Sequence, residues 1–408
     1  MKIAISDFFS EKEIEIIAKK EKLVLRKSEI TGFKFLLTFT NGLLNENGST
    51  LTQLAAYLNG NCGTMVSPQA IDQRIGDAAK EFMRICFLKS IQLSMKKIQI
   101  DSKLVKMFNH IFIIDSSNFA LHPKLADVFK GNGGSASISS LRIQFMYDYL
   151  SGQMFIQIGD VKLADATTFH NILEKNEFII NGTALFLADL GYFKIDSFIL
   201  MDESSNKFVS RLKHKIKLYN DSGKLIDIPK LFKNNREINV KIRIGNLTCR
   251  LIGKKLPEDI VNKRLRSANK EAKKRGKTVT EEQKIFLKYG LYITNIDCSL
   301  TFTDIFTLYR LRWQIELIFK TWKSILGMHK IQTARENRVM CEVYGKLIIA
   351  ALTSHFYYAV RIEYNLIISY HKMLQYIKPV AVNWTISILK GKESHKKFLL
   401  NLTSQIIT

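Results

Sequence analysis

The sequence predicts a mixed α/β fold, with a β-rich insertion in its sheet-forming part and helical regions at both ends of the chain. Three observations predict it: helical periodicity up to about residue 95, apolar strand patterns mixed with helical ones from residue 104, and a mainly helical stretch over residues 337–408. The chain has 408 residues, which is too long for one simple core, so we expect two or three structural units.

The N-terminal part carries three helical patterns. Their sequences are "SEKEIEIIAKKEKLVL", "GSTLTQLAAYLNG" and "VSPQAIDQRIGDAAKEFMRICFL". Ser10 is the expected N-cap of the first, with Glu13 at the capping-box position, and Ser67 followed by Pro68 opens the third. Two short helices joined by a glycine-containing turn are compatible with a helix-turn-helix. The region is interpreted either as a DNA-contacting module or as an element for packing or dimerisation.

From residue 104 the pattern becomes that of a sheet. "HIFIIDSSNF" predicts a buried strand that ends at Asp115, and "GTALFLADLGYF" predicts a second buried strand that ends at Asp189. Between them, residues 139–162 predict a β-hairpin with a Leu-Ser-Gly turn, and "DATTFHNILEK" predicts a helix. This order of elements describes a mixed α/β sheet.

Residues 207 to about 255 alternate between apolar and polar side chains, which indicates further strands. Turn signals at residues 221–223 and 245–246 separate these strands, and their polar positions carry positive charge. Residues 262–284 follow as a strongly basic helix or loop. Such a run is either an ordinary solvated face or a surface that contacts phosphate groups.

The net charge indicates the class of partner. The chain has 61 Lys and Arg residues against 37 Asp and Glu residues, which leaves a net charge of +24. An excess of that size favours a polyanion, most commonly nucleic acid. Binding to an anionic membrane surface would require an amphipathic basic helix or a lipid anchor, and the sequence contains neither pattern.

The cysteines and the apolar segments predict the cellular compartment. The five cysteines are scattered, without CxxC pairs or zinc-ligand spacing, which is typical of free thiols in a reducing cytosol. The chain start turns polar too early for a signal peptide. The most apolar stretch, residues 347–360, is too short to cross a bilayer. We therefore expect a soluble, cytoplasmic protein that does not enter a membrane.

The stretch "YRLRWQIELIFKTWK", residues 309–323, places four polar side chains on one line if it forms a single helix. They are Tyr309, Arg312, Glu316 and Lys323. They fall within an arc of roughly 60° and extend along about 21 Å of helix axis, which suits an extended nucleic-acid strand. Arg312 and Lys323 suit its phosphates. Glu316 repels phosphates unless a divalent cation lies between, because Mg²⁺ binds carboxylate and phosphate oxygens together.

Two further acids are candidates to share that cation. Asp115 and Asp189 each end a buried strand pattern at the carboxyl edge of the inferred sheet, where open α/β sheets place their ligands. Taken alone, either acid is explained as an N-cap or a hydrogen-bonded strand end. Glu316 alone is explained as a surface ion pair with Arg312. On a strongly basic chain, the three acids together indicate a metal-dependent site that acts on nucleic acid.

These motifs resemble bacterial insertion-sequence transposases of the DDE class, in the insertion-sequence-four family. Residues 309–323 match its Tyr-x2-Arg-x3-Glu-x6-Lys signature, "IDSSNF" is similar to its first-acid motif, and "ADLGYF" is similar to its second. Two positions depart from the family pattern. Ser117 stands where the family often has Thr, which keeps a hydroxyl group. Leu190 stands where the family often has Arg, which removes a cation beside Asp189.

The resemblance implies a fold and a chemistry. It implies an RNase H-like sheet flanked by helices, in which the catalytic residues Asp115, Asp189 and Glu316 hold two Mg²⁺ ions, for which Mn²⁺ can substitute. Two such ions stabilise the attacking and leaving oxygens of an in-line displacement at phosphorus. The implied enzyme is a transposase that binds the terminal inverted repeats of its element, cleaves there and joins the ends to target DNA. It is expected to act as a homodimer on two ends.

The same resemblance assigns residues to double-stranded DNA. Tyr309, Arg312 and Lys323 are expected to hold phosphates near the cleaved end. Trp313 either stacks on DNA or packs in the core, and Arg211 either contacts phosphate or forms a structural salt bridge. Two rival functions stay open. One is an RNase H-fold nuclease or Holliday-junction resolvase without strand transfer, and the other is a catalytically inactive, transposase-derived DNA-binding protein.

Five segments are predicted along the chain. They are a helical DNA-binding or dimerisation region (1–100), the first part of the catalytic core (101–213), a β-rich and basic insertion (214–290), the second part of the core with the helix of Glu316 (291–345), and a helical C-terminal region (346–408).

Overall fold

The structure, a computed structural model, describes most of the chain: residues 10–44, 50–92, 107–133, 137–159, 161–162, 164–174, 183–298, 300–364, 369–380, 383–384, 387 and 392–407. The chain divides into two compact units, each assembled from separate stretches. The first comprises residues 1–99, 116–162 and 314–408, and the second comprises residues 100–115 and 163–313. The predicted boundary at residues 100–101 lies outside the described residues, and the division into five segments stays a prediction.

Strands occupy the middle of the described chain, and helices occupy both ends. The helices are α1 Glu11–Lys20, α2 Gly32–Phe39, α3 Leu51–Asn61, α4 Pro68–Asp72, α5 Asp77–Gln92, α6 Asp165–Glu174, α7 Ile195–Glu203, α8 Ile228–Leu231, α9 Glu258–Lys274, α10 Glu281–Leu287, α11 Phe302–Arg310, α12 Trp313–Ser324, α13 Glu336–Tyr364, α14 Tyr370–Ile377 and α15 Lys392–Ile407. The strands are β1 His110–Ala120, β2 Ser140–Asp148, β3 Met154–Gly159, β4 Ala184–Ala188, β5 Lys207–Arg211, β6 Glu237–Ile244, β7 Leu247–Lys255 and β8 Tyr289–Thr294.

The N-terminal helices begin where the sequence predicts. The Ser10 hydroxyl accepts the backbone N–H of Glu13 at 3.3 Å, and Ser67 caps α4 with a proline at its first position. The sequence also predicts a single helix for the third pattern, and that prediction is wrong because residues 73–76 separate α4 from α5. The N–H groups of residues 74–76 bond to carbonyls only two or three residues back, and such bonds tighten the chain out of the α-helical path.

Helix α13 approaches the end of α2 closely within the first unit. A Cβ atom added at Gly345 would lie 1.6 Å from the backbone oxygen of Phe39 and 3.3 Å from the side chain of Leu43. Phe39 is fully buried. Only a residue without a Cβ atom lets the two backbones pack at this distance.

We therefore expect Gly345→Ala to lower the free energy of unfolding by about 3 kcal/mol or more, because the added methyl group forces the two helices apart. The midpoint of urea denaturation, followed by circular dichroism, measures the loss. Gly60→Ala is the matched control: Gly60 lies in α3 with nothing within 4 Å of its Cβ position. It should unfold like the wild type or slightly later, because alanine favours the helix. Equal midpoints for the two variants would contradict the close approach.

One mixed sheet contains all eight strands, in the order β3-β2-β1-β4-β5-β8-β7-β6. The pairs β1–β4 and β4–β5 are parallel, whereas β2–β3, β5–β8, β8–β7 and β7–β6 are antiparallel. Strands β2 and β3 belong to the first unit, β4 to β8 belong to the second, and β1 contributes residues to both. The predicted mixed α/β sheet flanked by helices, with a β-rich insertion and helical regions at both ends, is confirmed.

The predicted hairpin of residues 139–162 is present as β2 and β3. An aromatic cluster packs against β2: Phe145 lies 4.9 Å from Trp322 and 5.7 Å from Phe319, measured between ring centroids. Trp322 is fully buried. Burial of large aromatic side chains is among the strongest apolar contributions to stability, so this cluster holds α12 in place within the first unit.

The insertion contains strands and helices. β6 and β7 form an antiparallel hairpin whose turn contains Gly245 at φ +57°, as the turn signal predicts. The basic residues 262–284 lie mainly on α9 and α10, which resolves the expectation of a helix or a loop.

The apolar residues 347–360 lie within α13. In the part of the chain that the structure describes, no helix is both long and apolar enough to cross a membrane.

Candidate active site

The parallel pairing of β1 with β4 determines where the first two acids lie. Residues His110 to Ile114 pair in order with Ala184 to Ala188. The next residues of the two strands are Asp115 and Asp189, and the backbone at Asp189 is still extended, with φ −78° and ψ 171°. Parallel strands lie about 4.8 Å apart. The two carboxylates therefore leave neighbouring positions of the second unit, on the same face of the sheet.

One detail of the sequence prediction is wrong. Strand β1 does not end at Asp115 but continues to Ala120. Its ladder with β4 nevertheless stops one residue before Asp115, because β4 ends at Ala188. Asp115 thus lies in the middle of a strand but at the end of its parallel pairing, where its side chain stays 25% exposed.

The same register extends across two more strands. Ala188 pairs with Ser210 on β5, so the next position beside Asp189 is Arg211, and Arg211 pairs with Tyr292 on β8. Side chains in one row of a sheet point to the same face. Asp115, Asp189, Arg211 and Tyr292 therefore form a continuous line, which we call the acidic row.

Tyr309 and Arg312 lie against the acidic row. The Tyr309 hydroxyl is 3.5 Å from the carbonyl oxygen of Ala188, and its ring centroid is 4.8 Å from that of Tyr292. Arg312 Nη1 is 3.9 Å from Asp115 Oδ2, and the guanidinium lies 5.9 Å from the centre of the Tyr309 ring. A cation and a hydroxyl group thus face the two carboxylates within the second unit.

The two tyrosines of this cluster keep their protons. Burial raises the pKa of Tyr309 above its usual range, and the Asp189 carboxylate raises it further, against the opposing effect of nearby arginines. Burial also raises the pKa of Tyr292, opposed first by Arg211. Both hydroxyl groups are therefore hydrogen-bond donors at neutral pH, which suits an anionic ligand.

The predicted line of four residues on one helix is not continuous. α11 ends at Arg310, residues 311–312 form a turn, and α12 begins at Trp313. The N–H groups of Leu311 and Arg312 bond to carbonyls three residues back, at 3.0 and 3.1 Å, which interrupts the regular 100° advance of the α-helix. Tyr309 thus belongs to α11, whereas Glu316 and Lys323 belong to α12.

Glu316 and Lys323 share one face of α12, because seven residues advance the helix by nearly two full turns. Glu316 is half-buried in the first turn. Lys323 is exposed in the last turn, and its Nζ lies 5.5 Å from the centre of the Phe119 ring. Trp313 is 56% exposed, which argues against the core position that the sequence left open and leaves its ring available for stacking.

The simpler explanation of Asp189 as a helix cap does not hold. Asp189 occupies the N-cap position of a short 3₁₀ turn, Leu190–Tyr192, but its side chain makes no capping hydrogen bond. Leu190 itself is half-buried. The acid is thus placed without a capping role at the end of β4.

Sequence reasoning missed a residue that positions this site. Arg250 on β7 is buried, and its guanidinium donates hydrogen bonds to the carbonyl oxygens of Ile296 at 2.8 Å and Leu300 at 3.0 Å. These carbonyls lie in the segment between β8 and α11, so Arg250 holds the chain that leads to Tyr309. Its signal in the sequence is a lone cation inside the apolar stretch "LTCRLIG", since a buried arginine requires several acceptors.

Within the described residues, no group of three or more His, Cys, Asp and Glu side chains is arranged to hold a metal ion. The second unit provides a neighbouring pair of carboxylates, Asp115 and Asp189. Carboxylate oxygens are the ligands that hard divalent cations prefer, so the chemistry of this pair fits such an ion.

A mixed sheet thus carries two carboxylates at neighbouring positions, the arrangement that the motifs of a DDE-class enzyme predict. Residues 106–352 match the family described as Transposase DDE domain, which is more than half of the chain. The chain belongs to this family of DNA-cleaving transposases, whose DDE domain depends on divalent metal ions. The DDE-class transposase family that the three sequence motifs predict is thereby confirmed.

Several insertion-sequence transposases are similar along most of their length. The transposase for insertion sequence element IS1151 of Clostridium perfringens is 31% identical over 377 residues, which cover 86% of this chain and 79% of the relative. The transposase for IS231F of Bacillus thuringiensis subsp. israelensis is 29% identical over 372 residues, covering 84% and 76%. A piggyBac transposase, solved as a synaptic complex with hairpin DNA, is 14% identical with a TM-score of 0.49, covering 98% of this chain and 84% of that one.

Proposed function

We propose that this protein binds the terminal inverted repeats of its own insertion sequence, cleaves the DNA there and joins the ends to target DNA. One observation carries the proposal: the parallel register of β1 and β4 puts Asp115 and Asp189 at neighbouring positions on one face of the sheet. Two adjacent carboxylates on a strongly basic chain suit a metal-dependent reaction on a polyanion.

Asp115, Asp189 and Glu316 are the proposed catalytic residues and the ligands of two Mg²⁺ ions, for which Mn²⁺ can substitute. When bound, the ions supply stabilisation of the attacking and leaving oxygens at phosphorus. Asp115 and Asp189 contribute oxygens from adjacent strands. Glu316 contributes a third carboxylate from the first turn of α12, and this assignment rests on the match to the family motif.

The cations beside the acidic row are the proposed phosphate ligands. Arg211 lies next to Asp189 in the row, and Arg312 faces Asp115. Arginine presents a planar fork that matches two phosphate oxygens, so both can orient a strand against the acids. Leu190 stands where the family often has an arginine, and Arg211 and Arg312 supply positive charge near the same acids. This favours an active enzyme over an inactive, transposase-derived DNA-binding protein.

Three more side chains complete the proposed DNA contacts. The Tyr309 hydroxyl donates a hydrogen bond to a phosphate, which its raised pKa favours because the proton is retained. Lys323 adds a point charge at the exposed end of α12, and the exposed ring of Trp313 stacks on a base. The partner is double-stranded DNA, and two ends held together require two copies of the chain, a homodimer. The reaction takes place in the bacterial cytoplasm at the nucleoid.

A cleavage and joining assay tests the proposal. The full-length protein is incubated with DNA that carries the inverted repeats flanking its gene, together with a supercoiled target plasmid. We expect cut ends and joined products with Mg²⁺ or Mn²⁺, and neither product when EDTA removes the metal. Cut products that are never joined would replace the proposal with a nuclease or resolvase. A gel shift without metal-dependent cutting would replace it with a DNA-binding protein.

A further inference from the structure

The insertion forms a basic cavity between the end of α9 and α10. Its volume is about 520 Å³, and its polar lining comprises Asn269, Lys273, Lys277, Thr278 and Lys284. Three lysines thus line one cavity, and none of its lining residues is acidic. Lysines that line the same cavity repel one another, so an anion bound there would lower the electrostatic energy of the site.

Backbone and capping hydrogen bonds fix the chain on both sides of the cavity. Gly276 adopts φ +62°, and the N–H of Lys277 returns to the carbonyl of Ala272 at 2.9 Å, as in a glycine-terminated helix end. Thr280 caps α10 by accepting the N–H of Gln283 at 3.3 Å. Both sides of the turn are therefore held, and the lysines start from fixed positions.

The exposed face of α9 continues the positive charge of the cavity along the helix. Five exposed basic residues lie within an arc of about 100° along about 16 Å of helix axis. They are Lys263, Arg266, Lys270, Lys273 and Lys274. A small anion would be satisfied by the cavity alone, whereas a stripe of this length matches successive phosphates along a strand.

Acidic residues are also present on both helices, among them Glu282 in the first turn of α10. Glu258 and Asp259 lie in the first turn of α9, at the far end from the cavity. Glu271 pairs with Lys274 at 3.3 Å, and Glu281 pairs with Lys284 at 2.6 Å, both between largely exposed side chains. Exposed pairs of this kind are worth little, so a phosphate can compete for either lysine.

We infer that the α9–α10 cavity and the basic stripe of α9 form a DNA-backbone-binding surface of the insertion, in addition to the residues around the acidic row. The inference rests on the proposed function, because it assumes that the polyanion is the DNA on which the transposase acts. The cavity takes a phosphodiester group, and the stripe follows the same duplex without reading its sequence.

Salt-dependent binding tests the inference. The probe is a labelled duplex with one terminal inverted repeat and its flanking DNA, and its affinity is measured by fluorescence anisotropy over a series of salt concentrations. Lys273→Gln, Lys277→Gln and Lys284→Gln are combined in one variant. We expect its affinity at low salt to fall about tenfold or more, and the slope of log affinity against log salt to become shallower by about 2 to 3, since each phosphate contact contributes about 0.9.

The matched control combines Lys224→Gln, Lys230→Gln and Lys233→Gln. These lysines are exposed in the same unit, and Lys230 pairs with Asp227 much as Lys284 pairs with Glu281. The control removes the same number of charges from outside the proposed surface. Its slope of log affinity against log salt should therefore stay within about 1 of the wild type. Equal slopes for the two variants would overturn the inference and leave α9 as a solvated face.

Two further measurements distinguish DNA binding at this surface from the binding of a small anion and from a loss of catalysis. Inorganic phosphate, tested by thermal shift, distinguishes a small-anion site: stabilisation of the wild type but not of the cavity variant, with unchanged DNA slopes, would overturn DNA as the ligand. Cleavage at low salt and saturating protein should be normal in the cavity variant, because Asp115 and Asp189 are intact. A wild type that never cleaves would defeat the proposed function, while the difference in slopes would still decide this inference.

Discussion

Asp189→Asn is expected to reduce metal-dependent cutting of transposon-end DNA by about a thousandfold or more. A metal ion at a phosphoryl centre contributes several kcal/mol to transition-state stabilisation, and each 1.36 kcal/mol is tenfold in rate. The amide keeps the shape of the side chain but loses the negative charge that holds a divalent ion. Asp115→Asn should cause a similar loss, because Asp115 occupies the neighbouring position on β1.

Single-turnover cleavage at saturating protein measures this loss, and anisotropy measures binding of the same duplex. Binding should stay equal to the wild type or become slightly tighter, because the variant removes a negative charge from the DNA-facing side. Asp196→Asn is the control: Asp196 is an exposed acid in the first turn of α7 in the same unit, and it should cleave normally. Normal cutting by Asp189→Asn would remove the paired carboxylates from the mechanism.

Glu316→Gln is expected to cause a loss of similar size, about a thousandfold or more in cleavage rate. Its side chain is half-buried in the first turn of α12, where the aromatic cluster of Trp322 and Phe145 holds the helix. Glutamine has nearly the same volume, so the helix should stay in place and the thermal unfolding midpoint should change little. The loss would then report the missing charge and not a disturbed fold.

The control for this variant is Glu393→Gln, an exposed acid in the first turn of α15 in the same unit as Glu316. It should cleave and bind as the wild type does. If the Glu316→Gln variant cleaves DNA at the rate of the control variant, Glu316 is not the third metal ligand, even if the two aspartates prove essential. The two sets of variants therefore test the acidic row and the motif on α12 separately.

Much of the fold follows from local patterns. The alternation and apolar runs predict β2 to β7, and the capping residues Ser10 and Ser67 predict helix starts that the structure confirms. These signals depend only on neighbouring residues, so a single sequence contains them.

The errors have a common cause. The sequence pattern predicted that β1 ends at Asp115, whereas β1 continues to Ala120. It also predicted one helix over residues 309–323, whereas the helix is interrupted at residues 311–312. Where an element ends depends on which backbone groups find partners elsewhere in the fold, and a pattern of side chains does not report that.

The sequence by itself determined the transposase family, the polyanionic class of partner and the identity of the candidate acids, because residue types at fixed spacing and net charge are properties of the chain alone. The tertiary structure decided which side chains are neighbours: Asp189 beside Asp115 and Arg211, Tyr292 under Tyr309, and Arg250 beneath the segment that leads to α11. These neighbours are between 17 and 74 residues apart in the chain. The adjacency of Asp115, Asp189 and Arg211 follows from the hydrogen-bond register between strands, since a shift of one residue would turn every side chain to the opposite face.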